Sequence, residues 1–179
     1  MKKYVKEAIG YSDAWHLNAE RLLIAGPTSG KSTLITKFAK FGIRDTDDIL
    51  FDKQIFPDWH AVNRKGINPS VALLIRFINH GSNSLWLTNM WAKDFLETLL
   101  SSDGTNKKVI FVFRDSAEEI QQLMKQRGGT DRFSLSQLKG WVEDWREYSS
   151  AVSNNVIKLR EGQFLSDVVC PTKDGWRVM

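Results

Sequence analysis

The chain has 179 residues, 42% hydrophobic and 26% charged, a globular composition rather than a disordered one and enough chain for one domain with a real core. A lone cysteine, Cys170, excludes an intramolecular disulfide and cysteine-rich zinc sites. No apolar run is long enough to cross a bilayer, and the basic start Met1-Lys2-Lys3 lacks the apolar stretch of a signal peptide, so a cytoplasmic protein is expected. The net charge of +4, with an isoelectric point of about 9.2, suits polyanionic ligands such as nucleotides or nucleic acid.

Residues 1–20 form a polar lead-in. Leu22-Leu23-Ile24 then reads as a short buried strand that runs into Ala25-Gly26-Pro27-Thr28-Ser29-Gly30-Lys31-Ser32-Thr33. A helix is expected from Lys31 to about Lys40, ended by Phe41-Gly42, where glycine supplies a left-handed turn. A second strand ends at Asp45-Thr46-Asp47-Asp48. Residues 52–68 are irregular, with Pro57, Gly66 and Pro69 as breakers. Pro69-Ser70 opens a helix from Val71 to Asn79, closed by His80-Gly81. Leu85-Trp86-Leu87 is a brief strand ending at Thr88-Asn89, and a helix follows from about Ala92 to Leu100.

Lys108 to Phe113 is continuously apolar after its first residue, as a strand buried on both faces should be. Ser116, with Glu119 three residues on, spells a capping box for a helix to about Gln126. Arg127-Gly128-Gly129-Thr130-Asp131-Arg132 is a basic loop. Ser134 or Ser136 starts another helix through Trp141, Trp145 and Tyr148. Asn155 to Leu159 is a last strand, and a short helix and tail end the chain. Trp86, Trp91, Trp141 and Trp145 lie in apolar patterns and are expected in the core, whereas Trp59 lies in a polar loop and is the better candidate to meet a ligand. His16, His60 and His80 have no metal-ligand spacing.

Strands and helices alternate throughout, so the expected fold is α/β: a parallel sheet with helices on both faces and a small lid at about residues 127–134, in a single domain spanning residues 1–179. In such sheets the ligand sits at the carboxyl ends of the strands. That rule brings the loop at 25–33, the acids at 45–48 and Thr88-Asn89 to one rim.

The loop at 25–33 matches the pattern G-x-x-x-x-G-K-[ST] between strand and helix, except that Ala25 takes the first glycine's place and Gly26 follows one position late. Small residues let successive backbone N–H groups curl around a polyphosphate, and a helix N-terminus adds positive potential. Gly26, Thr28, Ser29, Gly30, Lys31, Ser32 and Thr33 are the candidate nucleotide-binding residues. Lys31 would neutralise the β- and γ-phosphates of ATP, and Ser32 would hold Mg²⁺.

Asp45 and Asp47, two apart in extended chain, share a face. A kinase acting on an alcohol needs a carboxylate to receive the hydroxyl proton and often a second to hold Mg²⁺ or its waters. Asp47 is the favoured base and Asp45 the candidate metal ligand. The same aspartates also suit the start of a helix at Ile49-Leu50, and both readings can hold together. Arg127 and Arg132 bracket a glycine hinge and could close over a triphosphate; a cation there also simply answers a helix dipole.

These motifs resemble the P-loop kinases of the nucleotide and polynucleotide kinase group, with the polynucleotide kinases of the phage type nearest. The resemblance rests on Gly30-Lys31-Ser32-Thr33, Asp47-Asp48, Thr88-Asn89, and the stretch from Glu119 through Lys125-Gln126-Arg127-Gly128 to Trp145-Arg146-Glu147-Tyr148. It implies that Asp47 is the general base and Arg127 the lid arginine on the ATP phosphates. Leu50 stands where those kinases place an arginine for the acceptor's phosphate, and Leu87 where they place an aspartate. The likeness therefore carries phosphoryl transfer further than recognition of a 5′-terminal nucleotide. Asp45-Thr46-Asp47 also resembles the D-[ST]-D of shikimate kinases, again acting on a hydroxyl. The expected activity is an ATP- and Mg²⁺-dependent kinase for a hydroxyl of a nucleic acid or nucleoside. The alternatives are a nucleoside monophosphate kinase and a nucleotide-binding switch without transfer.

Overall fold

A computed structural model of the chain describes residues 19–47, 84–89, 108–128 and 133–179. Its centre is a five-stranded parallel sheet in the order β2-β3-β1-β4-β5. The strands are β1 (Leu22–Ala25), β2 (Arg44–Asp45), β3 (Trp86–Thr88), β4 (Ile110–Arg114) and β5 (Asn155–Leu159). Every residue of β1, β3 and β4 is buried. Unbroken apolar runs do this when both faces of a sheet are covered.

Period-two alternation divides the strands' side chains between two cores. Leu22, Ile24, Trp86, Phe111 and Phe113 face one side. There they meet α2 (Ala117–Gln126) and α3 (Leu135–Val152) through Ala117, Ile120, Leu138, Val142 and Trp145. Among the residues of α3 whose burial is described, Leu138, Val142, Trp145 and Ser149 are buried, a stripe at steps of four, three and four that one helix face demands. The other side receives Leu23, Ala25, Leu87, Ile110 and Val112. It is covered by Leu34 of α1 (Lys31–Lys37) and by Leu165, Val169 and Trp176 of the chain's last segment. Helices thus lie on both faces of a parallel sheet, with a phosphate-loop sequence after the central strand, the α/β architecture expected from the alternation of strands and helices.

Several local expectations need correction. The first helix ends at Lys37, and a separate 3₁₀ turn at Ala39–Phe41 leads to Gly42, whose φ of 61° is the expected left-handed stop. The box at Ser116 is only half made. Its hydroxyl accepts from the Glu119 N–H at 3.2 Å, but the Glu119 carboxylate pairs with Arg114 instead. The full reciprocal box forms at Ser134 with Gln137, which settles where α3 begins. The expected short helix is a single 3₁₀ turn, and the tail after it is a hairpin. One 3₁₀ turn at Leu165–Asp167 precedes an antiparallel hairpin of β6 (Val169–Pro171) and β7 (Trp176–Val178). Cys170 is half-buried. Trp86 and Trp145 are buried and Trp141 packs against the core. The expected helices at 71–79 and 92–100, with Trp59, Trp91 and the three histidines, lie outside the described residues.

The hairpin packs back against the turn that leads into β1. The Trp176 indole N–H donates to the Arg21 and Trp86 carbonyls, both at 3.2 Å. Gly175 backs onto Glu20 so closely that a Cβ there would sit 2.3 Å from the Glu20 carbonyl oxygen. Only glycine permits that approach.

Candidate functional site

The loop leaving β1 is buried at Gly26, Thr28, Ser29 and Gly30. Its turns are held by one bond to β4 and one side-chain bond within the loop. The Gly26 N–H donates to the Val112 carbonyl at 2.9 Å, and the Ser29 hydroxyl donates to the Gly26 carbonyl at 2.7 Å. Thr28 takes a left-handed φ of 60° and Gly30 one of 93°. A non-glycine residue in that region is uncommon and belongs to sites that the surroundings hold in place. Space is also tight at two glycines. A Cβ on Gly26 would stand 3.1 Å from that of Phe113, and one on Gly30 3.1 Å from the Phe164 ring. This accounts for Gly26 standing where it does after Ala25, itself fully buried in the sheet.

Phe164 belongs to the last segment, which braces the loop from outside. The Leu165 N–H donates to the Ser29 carbonyl at 2.8 Å. Arg114, the last residue of β4, is fully buried. Its guanidinium pairs with Glu119, donates to the Gln163 carbonyl at 2.6 Å and reaches the Thr28 carbonyl at 3.5 Å. It also lies over the Phe164 ring, 5.2 Å from the centroid. Sequence reasoning missed this residue. Its only signal was a charge closing an otherwise apolar strand, which looks like an ordinary strand end.

Lys31 opens α1, and its ammonium points at the acids. It lies 2.9 Å from Asp47 Oδ2 and 3.4 Å from Asp45 Oδ2. Asp45 Oδ1 accepts the Asp47 N–H at 3.0 Å, a turn-capping bond of the kind expected from an aspartate before a helix. Burial is the largest influence on Asp45 and holds its carboxyl above the usual aspartate value, although Lys31 and the Asp47 N–H pull the other way. Asp47 is more open, and the Asn89 side-chain amide donates to both its oxygens, at 2.9 and 2.8 Å. The rim inferred from the sheet rule therefore exists as one contact chain: Lys31, Asp45, Asp47, Asn89.

Ser32 and Thr33 are exposed. With Gly30 and Arg127 they line a cleft of about 330 Å³. Arg127 reaches it from the C-terminal cap of α2, so the structure brings together the loop and the first arginine of the basic stretch. Arg132 lies outside the described residues. Arg146 does not join the cleft; it pairs with Asp115, which also accepts from Lys158 at 2.8 Å. Burial pushes the Asp115 carboxyl up, but bonds from Lys158 and Arg146 outweigh it, and the group titrates below its usual range.

The chemistry of the cleft suits a phosphate chain and a hard cation. Thr28 Oγ1 is buried with no hydrogen-bond partner among the described residues, a costly state that a ligand oxygen would relieve. The Ser32 hydroxyl and the Asp45 carboxylate are hard oxygen donors of the kind magnesium takes, one or two from protein and the rest from phosphate and water. Among the described residues no group of three histidines, cysteines or acids is arranged to hold a metal alone, and no helix there is long and apolar enough to cross a membrane.

No family model matches the chain, and no curated protein matches it. Among solved structures it is similar to shikimate kinase from Bacteroides thetaiotaomicron, with 14% sequence identity, a TM-score of 0.43, and coverage of 76% of this chain and 84% of that one.

Proposed function

We propose that the chain is an ATP-dependent kinase that transfers the γ-phosphoryl group to a hydroxyl of a nucleic acid or nucleoside. One observation carries the reading: the lysine of the phosphate loop touches a carboxylate, Asp47, that stands at the same rim and could receive an alcohol's proton. The acceptor oxygen forms a bond to the γ-phosphorus while the bond from that phosphorus to the β,γ-bridging oxygen breaks. The alcohol's proton passes to Asp47, and ADP leaves. Lys31 and the loop amides hold the phosphates, and Arg127, at the cleft's edge, answers charge that develops on the transferred group. Magnesium, when bound through Ser32 and Asp45, would supply further positive charge to the phosphate oxygens.

Basic charge favours a nucleic-acid acceptor, whose binding should then weaken with salt. Leu50, where phage-type polynucleotide kinases carry an acceptor-phosphate arginine, favours an acceptor hydroxyl without a neighbouring phosphate to grip. A hydroxymethyl group on a modified pyrimidine in DNA is one such case.

Incubation with γ-labelled ATP and a panel of mononucleotides, oligonucleotides and hydroxymethylated DNA tests this. Label in an alcohol phosphate ester is expected. Label confined to nucleoside diphosphates would make the chain a nucleoside monophosphate kinase. A switch without transfer is a second reading, favoured because the third strand ends in Leu87-Thr88-Asn89 with no carboxylate. Asp47→Asn separates the two: a kinase should lose turnover by about 10²–10⁴-fold, while a switch keeps its function.

A further inference from the structure

The strand pair β2–β3 ends two residues before its influence does. Arg44 pairs with Trp86 and Asp45 with Leu87 in parallel register. Beyond the last backbone pair the same offset of 42 residues continues in side chains. The Thr46 hydroxyl donates to the Thr88 hydroxyl at 2.8 Å, and Asn89 donates to Asp47. Both threonines are almost fully buried, so their bond is shielded from water and clasps the two strand ends together. Asn89 is thereby set opposite Asp47 by register rather than by chance of a loop.

The two donors to Asp47 among the described residues differ in kind. Lys31 carries charge and is the group a triphosphate would draw toward its own oxygens. Asn89 is neutral. It fixes both carboxylate oxygens without cancelling their charge, and a carboxylate with about four lone-pair sites can still accept an alcohol's hydrogen. When the lysine turns to phosphate, the amide is the contact that keeps the carboxylate aimed.

The geometry points to Asn89 as the positioning residue of the transfer reaction: it holds the Asp47 carboxylate in register with the phosphate loop while Lys31 serves the nucleotide. This rests on the kinase reading above. It assigns a role to a residue that need not touch ATP or acceptor.

The test measures kcat with γ-labelled ATP and the acceptor on which the wild type is active, ATP affinity by equilibrium binding, and melting temperature. Asn89→Ala should lower kcat by about 10–100-fold, the scale of a misaligned reacting group, and leave the ATP dissociation constant within about two-fold, since the amide acts through Asp47 alone. In an Asp47→Asn background the same substitution should cost no further activity, because the group it positions is gone. A full additional loss there would mean that Asn89 acts elsewhere, and the proposal falls. Should Asn89→Ala fail to fold, the isosteric Asn89→Asp keeps the volume and replaces the donor with a second carboxylate; its kcat should fall at least as far. A variant with wild-type kcat, beside an active wild type, overturns the role of Asn89 alone. A wild type that labels no acceptor overturns the kinase reading, and this one with it.

Discussion

The two faces of the sheet are built differently. One is covered by α2 and α3, whose apolar stripes repeat at helical spacing and carry the aromatic core of Phe111, Phe113 and Trp145. Among the described residues, the other is covered by a seven-residue helix, two 3₁₀ turns and a hairpin of three-residue strands. The first face is regular and contributes mainly burial. The second is irregular, and its residues also brace the phosphate loop, through Phe164 against Gly30 and Leu165 against Ser29. Stability and ligand geometry are thus separable on one face and joined on the other.

The largest effect should come from breaking the regular face. Ile120 is fully buried among α3 and the strands, and Ile120→Ala should cost about 2–5 kcal/mol of unfolding free energy. Urea titration measures that loss, and ATP affinity at a temperature where the variant is folded should be unchanged. Next, Gly30→Ala should raise the ATP dissociation constant. Its φ of 93° strains any side chain and a Cβ would press on Phe164, together a cost of about 1–3 kcal/mol, read by calorimetric titration.

Phe164→Ala should do less damage but of both kinds. It removes the backing of Gly30 and the ring beneath Arg114, so about 1 kcal/mol of stability should go, together with a few-fold loss of ATP affinity. If affinity survives intact, the irregular face is merely a cover. The smallest effect is electrostatic. Asp45 titrates above the usual aspartate value of 3.8 because of burial. Folding therefore favours its protonated form, and the stability this group adds is fully present below 3.8 and lost as pH rises through its folded value. At pH near 7 Asp45→Asn should therefore be more stable than the wild type, and the gain should vanish in urea titrations run below about pH 3.9.

Legibility in the sequence followed the same divide. β1, β4, β5 and the starts of α1 and α2 could be placed because each combines an apolar run with a terminator or cap. The parallel sheet followed from alternation, and the strand-end rule then put Asp47 and Asn89 on one rim before any contact was known. Tertiary partners undid the finer expectations. Glu119 looks like a capping residue, yet a fully buried guanidinium five residues earlier claims its carboxylate, because a buried charge needs a partner more than a helix end does. The hairpin was invisible because Val169-Cys170-Pro171 is too short to show alternation. Its turn is tied by the Thr172 N–H to the Gly175 carbonyl at 2.8 Å, and its glycine is needed for a neighbour far away in sequence. Lys31 against Asp45 and Asp47 was readable only as proximity; which carboxylate lies nearer depends on the Asp45 cap.

The brace on the phosphate loop has a consequence for a chain made from one end. Lys37 donates to the Ser166 carbonyl across 129 residues, and Leu165 closes on Ser29 from the same distant turn. On the ribosome the nucleotide loop emerges well before the segment that supports it from outside. A nascent chain should therefore hold its phosphate loop in the final shape only after Phe164 and Leu165 have left the ribosome and folded back on it.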